Sequence, residues 1–178
     1  MPTRRRFLHT PLLAIAAPAL SAATTIGTAR APQCMVEMLC CDTRAFTGAA
    51  RDVVLLAPDP AAGLNALSAD CWFGLTRAAH QLVVTELAAA RGYRLVYRGE
   101  HTYRAGVLAH RLHGTAALVE HYARILGAAG RAWPLVLAQA VPALSVSSNL
   151  QTGRASRTAV SPPADSPAHL VSWCLRRA

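Results

Sequence analysis

The sequence predicts a small α+β domain. Tyr93 to Arg98 alternates, with Tyr93, Leu95 and Tyr97 on one side and Arg94, Val96 and Arg98 on the other, which is the period-2 pattern of a half-buried strand. Helical spacing flanks it on both sides, and each helical stretch is closed by a glycine, Gly92 and Gly127, where a left-handed C-cap favours that residue. The chain has 178 residues, and the roughly 150 that follow its basic and apolar N-terminus suffice for one core.

Taken in order, residues 32–50 form a cysteine-bearing lead-in of mixed character. A domain over 51–146 starts at the apolar run Val53 to Ala57, a short buried strand closed by Pro58-Asp59-Pro60. From Leu75 the spacing becomes helical, with Leu75, Ala78, Ala79, Leu82, Val83, Glu86 and Ala90 on one broad face. The strand at Tyr93 follows, then a polar connection from Arg98 to Gly106. Val107 to His113 is a second strand, with Leu108 and Leu112 on one face. Gly114-Thr115 opens a helix carrying Leu118, Tyr122, Ile125 and Leu126. The order is a β-α-β-β-α core with additional short strands. Leu135 to Val146 is apolar but broken by Pro142, which suits one kinked strand or two short ones. Residues 147–168, rich in Ser, Thr, Pro and Gly, suit a flexible linker, and 169–178 return as a C-terminal strand or tail. In this scheme Tyr93, Leu95 and Tyr97 face the core between the two helices, together with Leu82, Leu108, Leu112, Leu118 and Tyr122, while Arg94 and Arg98 are solvated. No internal repeat is visible.

The first residues, Thr3-Arg4-Arg5-Arg6-Phe7-Leu8-His9, precede an uncharged, Ala- and Leu-rich stretch from Pro11 to Ala23. A positive segment ahead of a short apolar one is the layout of a secretory leader, and this one is too short for a comfortable membrane span. Arg4, Arg5, Phe7 and Leu8 stand in the register of the twin-arginine export motif, which the leader resembles; His9 replaces the usual lysine. The resemblance implies that residues 1–31 are a signal peptide, cleaved after Ala23 or Ala31. It also implies transient contact with the twin-arginine translocase and a periplasmic or secreted mature protein without a permanent membrane anchor.

The net charge is +9, and all 18 basic residues are arginine. Zero lysine reads as GC-rich codon usage; it excludes Schiff-base and Ser-Lys chemistry. A basic surface favours acidic partners. The five cysteines, Cys34, Cys40, Cys41, Cys71 and Cys174, are candidate disulfide or metal residues. An oxidising compartment favours pairing, and an odd count leaves at least one thiol over. Bridges from the Cys34, Cys40 and Cys41 cluster to Cys71 and Cys174 are open, with connectivity unset by sequence.

Ala89-Ala90-Arg91-Gly92-Tyr93-Arg94-Leu95-Val96-Tyr97, then Leu112-His113-Gly114 and the helix with Leu118 and Leu126, resemble the short N-terminal module of secretins and TonB-dependent receptors. The pattern is also similar to the C-terminal domain of toxin-coregulated pilus protein Q. The resemblance implies a periplasmic plug that binds partner proteins and catalyses nothing.

Enzyme motifs are missing: no GxSxG, no P-loop and no GxGxxG after a strand. His110 and His113 lie three apart in a strand and point to opposite faces, as do His169 and Cys174 at five apart, so neither pair suits a metal or a Cys-His couple. His113 and His121 converge only across the turn at Gly114, and Glu86, Glu100 and Glu120 show no pairing. Tyr93-Arg94, Tyr97-Arg98 and Tyr103-Arg104 interleave aromatic and basic residues in a way that suits nucleic acid, but alternation buries the tyrosines instead. The resulting expectation is an exported, non-catalytic binding or assembly module of an envelope machine of secretion or pilus type, without cofactor. The alternatives are a periplasmic redox or metal-binding protein using Cys34, Cys40 and Cys41, and a basic nucleic-acid-binding domain.

Overall fold

The computed structural model describes residues 32–37, 40–56, 64, 69–148, 150 and 152–178. The leader with Arg4, Arg5, Phe7 and Leu8 lies outside them, as does the turn Pro58-Asp59-Pro60. The architecture is α+β, a small domain built on one mixed sheet. In chain order the elements are β1 (Gln33–Val36), α1 (Cys41–Ala49), β2 (Val53–Leu55), β3 (Cys71–Thr76), α2 (Ala78–Ala89), β4 (Tyr93–Arg104), β5 (Val107–Gly114), α3 (Ala116–Ala129), α4 (Trp133–Leu144), β6 (Thr152–Ala159) and β7 (His169–Arg177). A single 3-10 turn, Gly130–Ala132, joins α3 to α4. The sheet order is β2-β1-β3-β7-β4-β5-β6. β1 runs parallel to β2 and β3, and every other neighbouring pair is antiparallel. The β-α-β-β-α order is present as β3-α2-β4-β5-α3, but its first strand is β3 and not the expected Val53 to Ala57, which falls on β2 at the end of the sheet order, and the C-terminal strand β7 is inserted between β3 and β4.

The helices divide unequally between the two faces. α1, α3 and α4 cover the front, over a core of Val36, Phe46, Phe73, Leu75, Tyr97, Leu108, Leu112, Leu126, Trp133 and Leu137. Of the helices described in full, α2 covers the back, where Val84 and Ala88 meet Met35, Trp72, Trp173 and Leu175, with Leu64 in the same core. The two helices that flank the β4–β5 hairpin therefore lie on opposite sides of the sheet, not on the same side as expected. Helix ends are fixed by distant residues. The Glu37 carboxylate, just past β1, accepts from the backbone N–H of Arg77 at 2.8 Å at the start of α2. Ser147 Oγ, just past α4, accepts from the N–H of Thr115 at 2.8 Å at the start of α3.

Several expected elements change. The lead-in 32–50 contains β1 and α1, and the α1 start is closed by Thr43 Oγ1, which accepts from the N–H of Cys40 at 2.9 Å. Leu75 belongs to β3, and the buried face of α2 is Gln81, Val84 and Ala88, leaving Leu82 60% exposed. That helix is apolar nearly all round, so periodicity could not orient it. Leu135 to Val146 belongs mostly to helix α4. Pro134 occupies the first turn, where a missing N–H costs nothing, and Pro142 falls in the last turn. Residues 147–168 contain β6, a polar strand with no outer neighbour among the described residues. Arg98 to Gly106 is no connection: β4 runs to Arg104, and the hairpin turns on Ala105 and Gly106 with φ +50° and +73°.

A β-bulge lies between Leu95, opposite Leu175, and Tyr97, opposite Cys174. Val96 is the extra residue, and the strand changes sides there. Tyr93 belongs to the back core with Leu95 packed against it, whereas Val96 and Tyr97 join the front core. Tyr93, Leu95 and Tyr97 do not share a face, and the fully buried Val96 owes its position to the bulge. In α3 the buried row is Val119, Ala123 and Leu126, and Leu118 is only half-buried.

Candidate binding face

Beyond the bulge, registers place Arg98, Glu100, Thr102 and Arg104 of β4 beside His113, Arg111, Ala109 and Val107 of β5. Those in turn lie beside Gly153, Ala155, Arg157 and Ala159 of β6. Directly opposed residues share a face. On this back half of the sheet no described helix lies over β5 or β6, since α2 packs on β3, β7 and β4. Two shallow pockets result, one lined by Thr102, Arg104, Val107, Ala109 and Arg157, the other by Glu100, Ala109, Arg111, Ala155 and Arg157. The floor is small side chains and the rim is guanidinium groups. Arg104, Arg111 and Arg157 are exposed, while Arg98 pairs with Glu100 at 3.1 Å, the one carboxylate in these rows. β6 pairs with β5 alone, so its outer edge is unpaired among the described residues. Arg154 of β6 leans to the front, toward Glu120 of α3 at 3.4 Å.

Behind this face lies a buried polar network that no spacing rule exposes. His101 of β4 and His110 of β5 are cross-strand partners on the front, with Nδ1 atoms 2.7 Å apart. His101 Nε2 reaches Ser172 Oγ at 2.8 Å, and Ser172 Oγ lies 3.1 Å from the Tyr97 hydroxyl. Gly99 makes room for this cluster, because a Cβ there would sit 2.4 Å from Ser172 Oγ. Trp133 stacks on His101 with ring centroids 4.3 Å apart, and its Nε1 donates to the Tyr103 hydroxyl at 2.9 Å. Tyr103 donates to Asp42 Oδ1 at 3.3 Å. One of the two facing Nδ1 atoms must carry a proton and the other must not, so the two imidazoles cannot both be charged. Burial holds the His101 pKa well below the ordinary value and lowers that of His110 to about 4. Burial also raises the Asp42 carboxyl and pushes the Tyr97 hydroxyl above its ordinary value. His110 Nε2 has no protein partner. The side chains of Ser172, His101 and His110 are enclosed, which suits a structural network rather than a site that admits substrate.

The other expected residues are dispersed. His110 faces the front and His113 the back, as their offset requires. Tyr93, Tyr97 and Tyr103 are 5%, 0% and 7% exposed, so none is presented for base stacking. The cysteines regroup. Cys71 and Cys174 bring their thiols to 3.4 Å, and Cys34 on β1 lies beside them; no bond joins any two. Cys40 contacts Thr43, and exposed Cys41 lies beside Arg44, so the Cys34, Cys40 and Cys41 set has separate neighbours. Among the described residues no group of three or more His, Cys, Asp or Glu is placed to hold a metal ion, and no helix is long and apolar enough to cross a membrane. Sequence reasoning missed His101, Asp42 and Ser172. The available signal for the first was His101 and His110 at equal distances from the Ala105-Gly106 turn, which a two-residue hairpin makes cross-strand partners.

Comparison with known proteins finds no family model, no curated protein and no solved structure that matches the chain.

Proposed function

We propose that this chain is an exported, non-catalytic binding module of a bacterial envelope machine, and that the bare half of its sheet docks an acidic, extended segment of a protein partner. The observation that carries the reading is the uncovered β4–β5–β6 face, rimmed by Arg104, Arg111 and Arg157 and ending in an unpaired strand. An extended peptide adds to such an edge through main-chain hydrogen bonds, and side-chain depressions beside it read alternate residues. The charges favour an acidic occupant over a second copy of the chain. A second copy paired edge to edge would continue the same arginine-rimmed face across the seam and set positive charge beside positive charge, which is unfavourable. Export rests on Arg4, Arg5, Phe7 and Leu8, and the secretin-like resemblance rests on the sequence pattern from Ala89 to Leu126.

A fluorescent peptide of alternating Glu and Val, titrated with the protein and followed by anisotropy, tests the docking reading. Binding should weaken at least tenfold when Arg111 and Arg157 are both changed to Glu, and should fall with added salt. Equal binding by wild type and variant, or a preference for single-stranded DNA over the peptide, overturns it. Replacing Arg4 and Arg5 with Lys should leave the precursor uncleaved in the cytoplasm; normal export of that variant removes the twin-arginine part.

A further inference from the structure

On the opposite side of the sheet from the bare face, three thiols occupy neighbouring strands: Cys34 on β1, Cys71 on β3 and Cys174 on β7. We propose that Cys71 and Cys174 form a thiol–disulfide exchange site for small disulfides, with Cys71 as the attacking thiol and Cys174 as the resolving one. The Sγ atoms are 3.4 Å apart, in van der Waals contact, and bonding requires a small closing movement of the two strands. The two differ in access. Cys71 begins β3 and is half-buried, whereas Cys174 is enclosed in the front core. A disulfide in solution therefore meets Cys71 first.

The environment divides the roles in the same sense. The hydrogen bond from Cys174, the positive charge of Arg176 and Ser145 at the end of α4 together lower the Cys71 pKa against the opposing effect of burial. The same contact and its own burial hold Cys174 as a thiol. Cys34 is pushed up to about 12, chiefly by burial, and serves as neither. In the first step the Cys71 thiolate attacks one sulfur of a low-molecular-weight disulfide RSSR, forming a mixed disulfide and expelling RS⁻, which takes up a proton. In the second, Cys174 loses its proton to solvent and attacks Cys71 Sγ, expelling the second RS⁻. The protein dithiol is oxidised by two electrons, and RSSR is reduced to two RSH.

Register decides the stability of the product. Cys71 stands opposite Arg176, and Cys174 opposite Phe73, so the bridge is diagonal across an antiparallel pair. Diagonal neighbours stand farther apart than an unstrained disulfide allows, and a strained bridge is easily reduced. The site thus favours reversible exchange over a permanent staple.

The test uses the full chain, reduced and then exposed to oxidised glutathione, with acid quenching, alkylation of residual thiols and peptide mass mapping. The expected sequence is a transient Cys71–glutathione adduct followed by a Cys71–Cys174 linked peptide, both reversed by dithiothreitol. Exposed Cys41 is the internal control, its adduct persisting without resolution. Iodoacetamide should modify native Cys71 at least tenfold faster than Cys174. In Cys174→Ser the Cys71 adduct should persist; because that buried change risks misfolding, the mapping in unaltered protein decides by itself. A Cys71 adduct that never resolves, a Cys40–Cys41 bridge in place of the expected one, or a Cys71 that stays unmodified overturns the proposal.

Discussion

Lowering the pH from 7.5 to 5 should destabilise the domain substantially through His101 and His110. In the unfolded chain each imidazole titrates near 6.5, and in the folded state the His110 pKa falls to about 4 and that of His101 also lies well below 6.5. A depressed histidine pKa means that the unfolded state binds the proton first, so stability is fully present above 6.5 and is lost as pH falls toward the folded value. Integrating the linkage relation between pH 7.5 and 5 gives a loss of about 2 kcal/mol for His110 alone, to which His101 adds in the same direction. That is a large share of the 5 to 15 kcal/mol typical of a domain. Asp42 acts in the opposite sense at lower pH, because its carboxyl is raised by burial and its protonation favours the folded state. Urea unfolding followed by tryptophan fluorescence at pH 7.5, 6.5, 5.8 and 5.0 reads the effect directly, since Trp133 stacks on His101. His110→Leu should be less stable at pH 7.5, having left His101 Nδ1 unpaired, and should lose part of the slope. Stability that is flat or rises toward pH 5, or a variant with the wild-type slope, refutes the reasoning.

Two further outcomes concern the backbone. Ala105→Asn should stabilise by about 0.5 to 1 kcal/mol, because Ala105 is held at φ +50° in a two-residue turn where asparagine is at ease; thermal melts showing a loss contradict the turn. Gly74→Ala should cost about 2 to 3 kcal/mol, because the added Cβ would lie 2.1 Å from the indole of Trp173, which is held by its Nε1 donating to Thr76 Oγ1 at 3.0 Å. A neutral effect in denaturant titration means that the indole is not fixed there.

The sequence made the β4–β5 hairpin and the helices on either side of it legible, because alternation and helical spacing agree over that stretch and Gly92 follows α2, although Gly127 lies inside α3, which runs on to Ala129 before Gly130. It misled wherever one device hid another. The bulge at Val96 turns a three-residue alternation into two faces, and nothing in Tyr-Arg-Leu-Val-Tyr-Arg marks the extra residue. Trp133 to Leu144 is too uniformly apolar for a period to separate helix from strand, and Pro142 tipped the reading toward strands although it falls in the last turn of a helix. β6 is polar because it is an edge strand with one side open, which makes its sequence indistinguishable from a linker. The basic face was readable only as net charge. It takes the registers of β4, β5 and β6 to bring Arg104, Arg111 and Arg157 onto one surface.

The docking reading meets its most direct test in backbone amide shifts of the labelled protein titrated with the acidic peptide. The predicted result is a set of perturbations confined to β6, the adjoining residues of β5 and the end of β4 around Thr102 and Arg104, with new protection from hydrogen exchange along the outer edge of β6. Perturbations centred instead on α2, or on the front surface of α1 and α4, would contradict the account.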